Sequence, residues 1–146
     1  MRSERFEAGG PILTERGVKM EGKEVVRVAG LWLGEDGIVR IIHVPGAEVT
    51  LEDAKETMMA YLKIYQGKRR PLLIDTRTMK FLAREARKYY AGDEAAKVAS
   101  AAAIIVGTPV SRVLGNFYLG LSNPHLPSRL FTSDDDALDW LRGYLE

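Results

Sequence analysis

At 146 residues, with 46% apolar and 28% charged side chains, the chain has the size and composition of one globular domain that needs no covalent staple. It contains no cysteine, which excludes disulfides, thiolate chemistry and a cysteine-ligated zinc site. A net charge of +1 argues against bulk nucleic-acid binding.

The N-terminal stretch "MRSERFEAGG" lacks the apolar core of a secretion signal. The longest apolar run, Ala101 to Val106, falls far short of the ~20 residues that span a bilayer. A cytoplasmic protein without a membrane span is therefore expected. Charge is nevertheless uneven. Residues 63–88 hold nine Lys/Arg against Asp75 and Glu85, and residues 134–146 hold five acids against Arg142. Such regions either attract one another within the chain or leave a basic face for an acidic partner.

In chain order, residues 1–23 are polar, and Gly9-Gly10-Pro11 reads as a flexible joint. A domain is expected over 24–146. Its first strand runs from Glu24 to about Leu33, Asp36-Gly37 marks a hairpin turn, and Ile38 to Val44 returns as the second strand. Thr50 with Asp53 forms a capping pair for a first helix, with Leu51, Ala54, Met58, Leu62 and Tyr65 at helical spacing and Gly67 at its end. Leu72–Ile74, Ala101–Val106 and Arg129–Phe131 are continuous apolar runs, as in strands covered on both faces. A short helix is expected at about Arg84 to Ala91. Thr108-Pro109 opens a further helix, a cap residue before a proline whose missing N–H costs nothing in the first turn. On it Val110, Val113, Leu114, Phe117 and Leu121 form the expected buried stripe. Ser133 ahead of "DDD" opens the last helix, with Ala137, Leu138, Leu141 and Leu145 inward. Hairpin first, then alternating helix–strand units, gives an α/β fold with a mixed, mostly parallel sheet.

Catalytic constellations are sparse. Asp75 ends a central strand, where ligands of such sheets bind. With Thr108 and Thr132 at neighbouring strand ends it has the outline of a phosphate-accepting site. The further acids and the lysine which that chemistry needs are missing from "IIHVPG" and "RLFTS". The plainer role is a carboxylate bonding loop N–H groups around Thr76, Arg77 and Thr78. His43 and His125 have no partner at ligand spacing, and neither a nucleophile elbow nor a glycine-rich phosphate loop is present. A non-enzymatic chain without cofactor or metal is expected; an enzyme using Asp75 with Arg77 is the remote alternative.

The helix opened by Thr108 carries an apolar arc wider than one core requires. Tyr118 and Leu119 fall off its stripe, and Arg112 and Asn116 share a face four residues apart. These four form the expected interaction surface, for a second copy of the chain or another protein. Its glycines, Gly115 and Gly120, are read as permitting close packing.

The stretches "GIVRIIHVPGAEVTLEDAKE", "PLLIDTRTMKFLAREARKYYA", "TPVSRVLGNFYLGL" and "RLFTSDDDALDWL" resemble a bacterial family of uncharacterised STAS-like proteins. The resemblance spans about residues 24–145, and "SRVLGNFYLGL" is its most specific part. It implies the fold of anti-sigma factor antagonists, a distant likeness to CRAL-TRIO lipid-transfer domains, and no assigned activity. In signalling STAS domains the strand-end aspartate is followed by Asp-Ser-Ser-Gly at a helix start, whose serine is phosphorylated. Here that motif falls on Ala83, Arg84, Glu85 and Ala86, which offer no hydroxyl. The resemblance thus implies a structural Asp75 and a lost phospho-switch. The expected role is regulatory binding of a protein partner or homodimerisation; a small apolar or lipid-like ligand under the helix opened by Thr108 is the alternative.

Overall fold

The structure, a computed structural model, describes residues 23–146; the segment expected at 1–23 lies outside these except for Lys23. Six strands form the main sheet: β1 (Lys23–Val25), β2 (Ala29–Leu33), β3 (Val39–His43), β5 (Arg70–Asp75), β7 (Ala99–Ile105) and β8 (Ser128–Phe131), side by side in that order. β1, β2 and β3 pair antiparallel, and β3, β5, β7 and β8 pair parallel. A second, two-stranded sheet joins β4 (Glu48–Val49) to β6 (Phe81–Leu82) in parallel. The helices are α1 (Leu51–Tyr65), α2 (Arg84–Ala91), α3 (Asp93–Val98), α4 (Pro109–Leu121) and α5 (Asp134–Leu141), the last continued by a 3-10 turn at Arg142–Tyr144. The expected mixed, mostly parallel α/β architecture is what forms.

Local signals set the element boundaries. Thr50 caps α1 in a reciprocal box, its hydroxyl accepting from Asp53 N–H while Asp53 accepts from Thr50 N–H. Thr108 does the same for α4 with Ser111, and Pro109 occupies the first turn where no N–H is needed. The Ser133 hydroxyl accepts from Asp136 N–H at the start of α5. At the β2–β3 turn Gly37 adopts φ +85°, a conformation that favours glycine. Because the Thr108 cap is complete, Thr108→Ala is expected to lower stability by about 1 kcal/mol, read by denaturant unfolding.

The single first strand expected from Glu24 to Leu33 is broken in two. A turn, Val26 N–H donating to Ala29 O at 2.9 Å, reverses the chain and lets β1 pair back on β2. The cause is long-range. Arg27 reaches the start of α1, its Nε 2.8 Å and Nη2 2.5 Å from the Asp53 carboxylate, and also donates to Glu48 O. This guanidinium is the main reason the Asp53 carboxyl falls to about 2. A depressed carboxyl contributes stability that is full above its unfolded value, about 3.9, and is lost as pH falls through the folded value. Acid unfolding should therefore include a stability loss between those values that Arg27→Gln diminishes, measured by urea titrations at stepped pH.

The sheet has two unlike faces. On one, Leu73, Ala101, Ala103 and Ile105, together with Ile38 from the end of the β2–β3 turn, meet Ala137 and Leu141 of α5, all buried. Along the rim the Trp140 ring packs tilted against Phe131 and Tyr144, with centroids 5.6 and 4.9 Å away. Leu145, expected inward, is exposed because α5 stops at Leu141. On the other face α1 lays Ala54, Thr57, Ala60, Tyr61 and Ile64 against the sheet, and Leu62 points to solvent instead of joining the expected stripe. The oppositely charged regions meet within the chain: Arg69 pairs with Glu146 at 2.5 Å and Arg77 with Asp134 at 3.2 Å.

Candidate functional site

The strand-end loop is closed on itself. Arg77 donates from Nε and Nη2 to the Asp75 carboxylate at 3.0 and 2.7 Å, and its backbone N–H donates to Asp75 Oδ1 at 3.0 Å. The pairing with Asp75 raises the Arg77 guanidinium further above its ordinary value. Thr76 donates to Ile105 O at 2.9 Å, tying the loop to β7. Thr78 is exposed, with its hydroxyl 3.3 Å from His43 O. Asp75 and Arg77 are indeed adjacent, as an ion pair anchored to α5 through Asp134. Residues 83–86 do form a helix start. Ala83 is the N-cap of α2 and makes no side-chain cap bond; Arg84 and Glu85 are exposed, and Ala86 is fully buried.

The expected interaction surface on α4 is corrected. Tyr118 is buried and Leu119 half-buried, packed with Ala91, Ile104 and Val106. The stripe expected inside faces out: Val110, Val113, Phe117 and Leu121 are 46–71% exposed. Small residues decide this rotation. Ser111, fully buried, accepts from Gly107 and Thr108 N–H and donates to Thr108 O. One turn on, Gly115 sits so close to the sheet that a Cβ there would lie 2.9 Å from Leu130 and 3.2 Å from Val106. Burying the larger stripe would hold α4 too far out to complete these contacts. Arg112 and Asn116 are exposed and border a surface cleft with Val106, Leu130, Phe131 and Thr132. The signal in the sequence was the pair of small residues four apart, Ser111 and Gly115.

Between the sheet and the layer of α1 to α4 lies a cavity of about 100 Å³. Its floor is Ile41 and His43 of β3, Leu72 and Ile74 of β5, and Ala99, Ala102 and Ile104 of β7. Thr57, Met58 and Tyr61 of α1, Tyr90 of α2, Ala95 and Val98 of α3, and Leu114, Gly115 and Tyr118 of α4 close it, with Met79 and Leu126 at its edges. The void arises from subtraction: alanines 95, 99 and 102 and Gly115 supply little volume where a core would carry leucine or isoleucine. Leu72 and Ile74, on a strand hydrogen-bonded on both sides, remain only half-buried because they face it.

The cavity's polar groups are few and held in place. Thr57 donates to Asp53 O at 2.9 Å and Tyr61 to Val98 O at 2.6 Å. Tyr118 donates more weakly, at 3.4 Å, to Tyr90 O. Burial pushes the Tyr61 and Tyr118 phenols up to about 12 and that of Tyr90 higher still, so all three stay protonated. His43 is buried, its Nδ1 3.0 Å from Asp75 O, and burial lowers its pKa. His125 is on the surface, 2.6 Å from Asp93. Among the described residues no cluster of three His, Asp or Glu is placed to hold a metal ion, and no helix is long and apolar enough to cross a membrane.

A domain family of unknown function, DUF7793, matches residues 31–145. The chain belongs to this family. A solved structure of an uncharacterised DUF3478-family protein with a SpoIIAA-like fold, from Shewanella loihica PV-4, superposes with a TM-score of 0.56 at 19% identity, covering 86% of this chain and 99% of that one. It shows the fold: a SpoIIAA-like, STAS-type domain, as the sequence resemblance implied. A protein of unknown function from Arthrobacter sp. FB24 is 34% identical over 77% of this chain and 97% of its own, with a TM-score of 0.31. No curated protein matches.

Proposed function

We propose that this STAS-like chain is a non-enzymatic binding domain whose primary occupant is a small apolar molecule held between the sheet and α4. The cavity carries this reading. It is of the same order as an engineered apolar cavity of about 150 Å³ that takes up benzene. Central-strand side chains that a finished core would cover, Leu72 and Ile74, line it. Native mass spectrometry of the protein from its own host tests the proposal: a stoichiometric small neutral adduct released on activation supports it. Protein that arrives empty and gains no apolar additive opposes it.

A second reading rests on a separate observation, the exposed stripe Val110, Val113, Phe117 and Leu121. In that reading α4 docks a second copy of the chain, and because its inner face walls the cavity, the ligand regulates how the stripe is presented. Sedimentation at tens of micromolar should then show a concentration-dependent dimer that Phe117→Asp reduces to monomer. A wild type that stays monomeric refutes the dimer.

A further inference from the structure

His43 sits on β3 with 6% of its surface exposed, and its ring lines the cavity. Its Nδ1 lies 3.0 Å from the main-chain oxygen of Asp75. A carbonyl only accepts, so Nδ1 carries the ring's proton. Burial keeps the imidazole neutral, which leaves Nε2 as a bare lone pair. No described residue donates to it.

The hydroxyls around it reinforce the pattern. The protons of Thr57, Tyr61 and Thr76 are each directed to a backbone carbonyl, of Asp53, Val98 and Ile105 respectively. Tyr118 likewise donates to Tyr90 O, and the Tyr90 hydroxyl bonds Thr57, so these hydroxyls have no proton left for an occupant. No lysine or arginine lines the cavity. A carboxylate or phosphate placed there would be a buried charge with no counter-charge, the costliest state for a ligand. A neutral molecule with one O–H or N–H to give would instead meet an acceptor at the cavity wall, the Nε2 of His43.

We infer that the cavity selects a neutral, single-ring-sized apolar molecule bearing one hydrogen-bond donor, such as a phenol or cyclic alcohol, and that Nε2 of His43 receives that hydrogen bond. The inference rests on the cavity being a ligand site, and the comparison of near-isosteric probes separates the two claims.

Toluene and phenol differ by a methyl in place of a hydroxyl. In an apolar cavity with no acceptor, phenol binds the more weakly, because its hydroxyl loses water and gains nothing. The ¹⁵N-labelled full chain is titrated with toluene, phenol and benzoate, following both backbone amides and the histidine ring nitrogens. Phenol is expected to saturate residues around Ile74 and Leu114 at least as tightly as toluene, to move the Nε2 resonance of His43 where toluene leaves it still, and to outcompete benzoate by tenfold or more. His43→Leu is expected to reverse the order, toluene then binding at least tenfold tighter than phenol. The ring-nitrogen measurement on the wild type decides the matter if that variant does not fold. Toluene binding with phenol tenfold weaker and Nε2 unmoved overturns the donor selectivity while leaving the cavity a ligand site. Tightest binding by benzoate overturns the neutral class. Saturation by none of the three overturns the underlying reading as well.

Discussion

Ala102→Leu is expected to abolish binding of a cavity ligand while making the empty protein more stable. Ala102 lies on β7 in register with Leu72 and Ser128, is 2% exposed, and contributes almost nothing to the space in front of it. Three added carbons would occupy volume already vacant. At about 0.8 kcal/mol per buried methylene, less the cost of fitting a longer side chain, the net gain should be about 1 kcal/mol. For a chain of this length that is a rise of about 2–4 °C in Tm. Affinity for a single-ring probe should fall at least tenfold because the same volume cannot be filled twice. Calorimetric Tm and probe titration on one sample read both effects. A destabilised variant that still binds would place the ligand elsewhere.

Leu141→Ala is expected to be among the most damaging single substitutions. Leu141 is fully buried among Ile38, Leu73, Ala101, Ala103 and Ile105, side chains already short or fixed on hydrogen-bonded strands, so little can relax into the gap. The loss should lie near the upper part of the 2–5 kcal/mol range for such truncations. Leu72→Ala removes the same atoms from the adjacent strand position on the opposite face. There the side chain borders a void and is only half-buried, and a loss of roughly 1–2 kcal/mol is expected. Denaturant midpoints of the two variants, measured side by side, test whether one face of the sheet is truly less well filled. Equal losses would contradict the asymmetry.

The strands at Leu72–Ile74, Ala101–Val106 and Arg129–Phe131 and the caps at Thr50, Thr108 and Ser133 were legible because their causes are local: runs of apolar side chains and hydroxyls ahead of helices. The break between β1 and β2 was not, since no glycine or proline marks it and its cause is an arginine reaching 26 positions along the chain to Asp53. The helix α3, six residues long with adjacent alanines, is too short to establish a period. The rotation of α4 was misread because hydrophobic size was taken to decide which face turns inward. Close approach at Ser111 and Gly115 decided it instead. The cavity is the hardest feature to read from sequence, being made of side chains that are not there. His43 has no partner at ligand spacing in the sequence, and its actual partner is a main-chain oxygen, that of Asp75, 32 positions away.

Methyl NMR of the selectively labelled chain, titrated with toluene, tests the central claim most directly. A ligand site between the sheet and α4 predicts saturable shifts at Leu72, Ile74, Met79 and Leu114, with Ile38, Ile105 and Leu141 on the opposite face unmoved. Shifts confined to the outer stripe at Val110, Val113 and Leu121, or none up to the solubility limit of toluene, would contradict it.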